Sequence, residues 1–112
     1  MSGSFTTMSI KKKETAKNLA MSLKKSGKTL EYTKGVNLVQ FSYVEPDEHS
    51  ESELSQMDGL ENGYYLYTER LSNESMPEYK TFSNSDEGLD KATTCLYKDR
   101  KFINRGSFIN EY

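Results

Sequence analysis

The chain has no tryptophan, one cysteine, one histidine and two prolines among its 112 residues. Each scarcity excludes something. With Cys95 alone, no internal disulfide framework can form. Cys95 and His49 stand far apart, so the clustered Cys/His spacing of a zinc site is missing, and no metal is expected. The seven glycines are scattered at turn-like places, and no glycine-rich loop of the kind that cradles phosphate occurs. No stretch approaches the roughly 18 apolar residues of a membrane span. The opening MSGSFTTMSIKKKE also lacks the apolar run of a signal peptide. These absences predict an intracellular, cytoplasmic protein with no membrane partner and no cofactor.

Apolar residues are scarce as well. Leu, Ile, Val and Phe number 21 in all, close to the level of about one fifth below which chains of high charge stay disordered. Two features oppose disorder: the net charge is only −2, and eight tyrosines add large apolar bodies. A small core with polar margins is expected.

Charge is present in quantity, and it is segregated. Residues 11–34 hold eight lysines against Glu14 and Glu31, a local +6. Residues 45–62 hold Glu45, Asp47, Glu48, Glu51, Glu53, Asp58 and Glu61 with no lysine or arginine, a local −7.

The apolar spacing predicts the elements. Residues 1–9 read as a flexible N-terminal tail and 10–101 as a single α+β domain. Ser9 is placed to cap a helix over 10–26, where Ala16, Leu19, Ala20 and Leu23 recur at helical spacing and Gly27 ends the run. VNLVQFSYV (36–44) is rich in β-branched and aromatic residues and is stopped by Pro46. GYYLYTERL (63–71) follows the turn signal Asn62-Gly63, with Tyr65 and Tyr67 on one face and Tyr64 and Leu66 on the other. Tyr79–Phe82 reads as a short third strand. Ser83 or Ser85 then caps a helix from Asp86 to near Asp99 with the stripe Leu89, Ala92, Cys95, Leu96. Residues 102–112, with Phe-Ile-Asn twice, read as a hairpin or a docking tail. The expected architecture is a three-stranded antiparallel sheet with two helices on one face, in α-β-β-β-α order. Its expected core is Leu19, Leu23, Phe41, Leu66, Phe82, Leu89 and Leu96.

That order echoes the double-stranded RNA-binding domain in topology alone. Where that family opens its last helix with phosphate-gripping lysines, this chain has Ser85-Asp86-Glu87-Gly88-Leu89-Asp90.

Catalytic chemistry finds no foothold. Cys95 falls on an apolar helical stripe with no nearby base, as a structural cysteine does. No pair of carboxylates is singled out by spacing, so no enzyme is expected. The acidic segment 45–62 repels itself and must stay on the surface. At about 18 residues it exceeds the usual strand connection, and long connections in compact domains often carry function. A row of carboxylates attracts a basic surface and speeds its encounter. The expected function is therefore a non-enzymatic protein-binding module, a regulator, adaptor or inhibitor. Chains of this composition are common among accessory proteins of bacteria and their phages. Its partner is a protein with a basic surface, met by Glu45, Asp47, Glu48, Glu51, Glu53, Asp58 and Glu61. The alternative is a nucleic-acid-binding module using Lys11, Lys12, Lys13, Lys17, Lys24, Lys25 and Lys28 with tyrosines of the sheet.

Overall fold

The computed structural model describes residues 3–4, 10–45, 62–71, 76–103 and 107–110, with side chains at 10–45, 62–71 and 76–103. In chain order the elements are β1 (Gly3–Ser4), α1 (Lys13–Ser26), β2 (Lys28–Lys34), β3 (Asn37–Val44), β4 (Tyr64–Leu71), β5 (Glu78–Ser83), α2 (Asp86–Lys98), the single turn α3 (Arg100–Ile103) and β6 (Ser107–Asn110).

The protein is α+β with an antiparallel sheet, but the expected three strands are too few. Four longer strands, β2 to β5, form a meander, and the short β6 and β1 extend it in the order β1-β6-β2-β3-β4-β5. The strand not foreseen is β2. Leu30 and Tyr32 alternate there with Glu31 and Thr33 and are buried, the period-2 signature of a half-buried strand. The sequence reading assigns no element to residues 28–35, where Lys28 and Lys34 bracket a short alternation. Lys34 pairs with Asn37, so the β2–β3 connection is the two residues Gly35-Val36. Gly35 has φ 66°, the left-handed value that a tight hairpin assigns to glycine.

The start of α1 also needs correction. Ser9 lies outside the described residues. The N-cap is Lys12, whose side chain makes no capping bond, and its carbonyl accepts from the Thr15 and Ala16 amides at 3.1 and 3.4 Å. The apolar stripe Ala16, Leu19, Ala20, Leu23 is buried as the spacing predicts, and Gly27 (φ 70°) ends the helix in a left-handed cap. For α2 the cap is Ser85, whose Oγ accepts from the Gly88 amide at 3.1 Å. Gly88 is required by close approach, since a Cβ there meets the Ser83 carbonyl.

The first helix and α2 contact each other and lie on one face of the meander. Between helices and sheet sits one main core: Leu19, Leu23, Phe41 and Leu96 as expected, joined by Ile10, Leu30, Tyr32, Val39, Tyr65, Tyr67 and Ile103. Phe41 is its aromatic centre, with Tyr65, Tyr67 and Phe82 ring centroids at 6.1, 6.4 and 6.3 Å. Three expected core residues differ. Phe82 and Leu89 are half-buried at its margin. Leu66 points to the other face, where it packs with Val44 and Tyr64 in a small separate cluster. Strand alternation dictates this, because Leu66 is one residue from both Tyr65 and Tyr67.

Both chain ends meet the sheet. Leu30 pairs with Phe108 and Thr29 with Ile109 across β2–β6, while Gly3 pairs with Ile109 across β1–β6. Among the described residues no helix is long and apolar enough to cross a membrane.

Candidate functional site

Of the seven acidic residues singled out by sequence, Glu45 is described, and it is exposed. Asp47, Glu48, Glu51, Glu53, Asp58 and Glu61 lie outside the described residues, as does His49. The two ends of their segment are fixed. Val44 pairs with Tyr64 across β3–β4. The Asn62 carbonyl accepts from the Tyr43 hydroxyl at 2.6 Å and from the Asn84 side-chain amide at 2.8 Å. Gly63 beside it has φ 90°, and a Cβ there would collide with the Tyr43 ring hydroxyl, so glycine is needed at that corner.

Of the lysines of the alternative reading, Lys13, Lys17, Lys24 and Lys25 are on α1, Lys11 and Lys12 lead into it, and Lys28 opens β2. Lys11, Lys12, Lys13, Lys17, Lys24 and Lys25 are exposed and Lys28 is half-buried. Acidic groups interrupt them. Lys13 pairs with Asp90 at 3.8 Å, and Lys13, Glu14, Lys17, Asp86 and Asp90 share one surface cleft between α1 and α2. Lys24 donates to the Asn84 side chain at 2.9 Å and lies 5.4 Å from the Tyr43 ring centre. Tyr32, Tyr65 and Tyr67 are buried under the helices and are not open to stacking with bases. Among the described residues Tyr79 is the strongly exposed tyrosine, at 62 %, and lies on the sheet face opposite the helices.

A polar cluster that sequence reasoning missed joins β2, β3, β4 and the end of α2. Asp99 is only 5 % exposed. It accepts from the Tyr32 hydroxyl at 2.7 Å, and Lys34 stands 3.5 Å away. The Tyr67 hydroxyl donates to Glu69 at 2.8 Å, and the Asn37 side-chain amide reaches the other Glu69 oxygen at 2.5 Å. Burial pushes both tyrosine hydroxyls up, and their carboxylate partners push them further. Burial likewise raises the neighbouring Cys95 thiol to about 11, with the Asp99 charge adding to it. A thiol so placed is a poor nucleophile near neutral pH. None of these groups lines the cleft between α1 and α2. The cluster pins the α2 terminus to the sheet. No local spacing announces it, because Tyr32 and Asp99 are 67 residues apart.

The opposite sheet face carries the larger concavity, a groove of about 600 Å³. Register places its side chains in rows. Leu38 is opposite Arg70, Gln40 is opposite Thr68, and Thr68 is opposite Tyr79. Leu66 and Val44 continue the floor, and Glu45 stands at the end where the acidic segment leaves. Gln40 donates to Glu31 at 2.8 Å within this face. Leu38 is 37 % exposed and Arg70 is exposed. The face thus offers apolar ground, hydrogen-bonding groups and charge without a convergent acid–base pair. Sequence alternation shows Leu38, Gln40 and Ser42 sharing one side of β3, but not that the helices leave that side open.

Among the described residues no group of three or more His, Cys, Asp or Glu is placed to hold a metal ion. Comparison with protein-family models, with curated proteins and with solved structures finds no match.

Proposed function

We propose that the protein is a non-enzymatic binding module whose partner is another protein with a basic surface, engaged by Glu45, Asp47, Glu48, Glu51, Glu53, Asp58 and Glu61. The observation that supports this reading is that Val44 and Tyr64, which flank the −7 segment in the sequence, are paired across β3–β4, with Glu45 bordering the groove on the sheet face away from the helices. A segment tethered at both ends loses less freedom on binding than a free tail does. Dense carboxylates raise the encounter rate with a cationic surface. The raised pKa of the half-buried Cys95 thiol and the engagement of Asp99 by Tyr32 and Lys34 support the non-enzymatic part.

Binding to nucleic acid through Lys11, Lys12, Lys13, Lys17, Lys24, Lys25 and Lys28 is the second reading, favoured by the exposure of all of these but Lys28. Its weakness is that Asp86, Glu87 and Asp90 lie on the neighbouring α2 and Lys13 is paired there. Titration with single-stranded and duplex DNA and RNA at two salt concentrations separates the readings. The first predicts weak binding at physiological salt. Sub-micromolar affinity with a log–log salt slope of several phosphate contacts would replace it with the second.

A further inference from the structure

We infer that the open face of the sheet seats an extended segment of the partner protein, apolar where it meets Leu38 and Tyr79 and basic at the end nearest Glu45. The inference rests on the protein-binding reading above and assigns to it a surface and a ligand chemistry. Three observations converge. First, the face is concave and leaves apolar side chains uncovered, Leu38 at 37 % and Tyr79 at 62 % exposed, with Leu66 between strands as floor. Second, polar Gln40 and Thr68 lie between those apolar groups and are held in place at mid-groove, Gln40 donating to Glu31 at 2.8 Å and the Thr68 hydroxyl to the Gln40 carbonyl at 3.3 Å. Third, the groove is electrically polar. Arg70 sits level with Leu38 at one end, Glu45 follows Val44 at the other, and Glu31 stands midway beside Gln40.

The charged ends are seven residues apart along β3. At a strand rise of about 3.3 Å per residue that is roughly 23 Å. A small molecule does not bridge such a distance, whereas an extended polypeptide of about seven residues does. Nucleic acid is disfavoured on this face, because Glu31 and Glu45 border it and the lysines of α1 lie on the other side of the sheet. Apolar contact supplies the holding force and is insensitive to salt, while the carboxylate end orients the ligand and is screened by salt.

The probe is a ten-residue synthetic peptide alternating leucine and serine with two lysines at one end, and the opposite-charge control carries two glutamates there instead. Titrated into isotopically labelled protein, the basic peptide should shift the amide resonances of Leu38, Gln40, Leu66, Thr68 and Tyr79 and leave those of α1 in place. Leu38→Ala and Tyr79→Ala change exposed side chains, so the fold, monitored by circular dichroism, should persist. Each should raise the dissociation constant about three- to tenfold at low and at physiological salt. Arg70→Glu should tighten binding of the basic peptide. Shifts confined to other surfaces, equal affinity for the two peptides, or unchanged affinity in both alanine variants overturns the inference. Displacement of the peptide from these amides by a single-stranded oligonucleotide also overturns it. Glu48→Gln, Glu51→Gln and Glu53→Gln combined report on the acidic segment alone. If they leave affinity unchanged while the alanine variants weaken it, the acidic-segment reading falls and the groove stands. The reverse pattern removes the groove and keeps the segment.

Discussion

At the scale of single residues, the Asp99 cluster shows how a mostly polar chain secures a small core. Asp99 is buried with a tyrosine hydroxyl at 2.7 Å and a lysine at 3.5 Å. A buried carboxylate stripped of a donor is costly, so Tyr32→Phe should lower stability by about 1.5–3 kcal/mol, read as a shifted urea midpoint with an unchanged slope. Glu69 gives the pH dependence. Burial pushes its carboxyl up, but hydrogen bonds from Tyr67 and Asn37 and the charges of Lys34 and Lys80 outweigh this and hold it below the ordinary glutamate value. A carboxyl lowered in the folded state stabilises the protein above the unfolded-state pKa, and that contribution is lost as pH falls through the folded value. Stability should therefore fall from about pH 4.3 downward, and more steeply in the parent than in Glu69→Gln when both are followed by urea titration across pH 2 to 7. None of this is legible in the sequence, since Tyr32, Glu69 and Asp99 meet only after the sheet and α2 have assembled. Cys95 is the contrasting case, because its place on the apolar stripe of α2 announces its partial burial.

Elements were legible where periodicity ran unbroken. Four buried positions at helical spacing define α1, and alternation defines β3 and β4 to within a residue. The β2 strand escaped because Lys28 and Lys34 frame only two inward residues, Leu30 and Tyr32. Lys12 serves as N-cap without a side-chain bond, so α1 begins three residues later than Ser9 would have it. The margins of the core follow from the same geometry. Leu96 is fully buried, while Leu89, two turns earlier on α2, is half-buried and borders the surface cleft between α1 and α2. Leu96→Ala should cost about 2–5 kcal/mol, the range for a buried leucine, and Leu89→Ala clearly less. Paired denaturation curves test the order, and a larger loss at Leu89 would contradict this placement.

For the whole molecule, the decisive feature is a division of labour between the two sheet faces. Helices, lysines and the main core take one side. The other keeps Leu38, Arg70 and Tyr79 open beside the start of the acidic segment. Segregated charge was legible in the chain as +6 and −7 blocks, but that Leu38, Arg70 and Tyr79 come to border one groove is a product of strand register. The central claim is electrostatic engagement of a basic partner, and association kinetics test it most directly. With a partner isolated from the native host, the on-rate is measured for the parent and for the variant combining Glu48→Gln, Glu51→Gln and Glu53→Gln, at low and at high ionic strength. The account predicts that the variant associates about three- to tenfold more slowly at low salt and that high salt erases the difference, with stability changed little by these substitutions. Equal on-rates at low salt would contradict it.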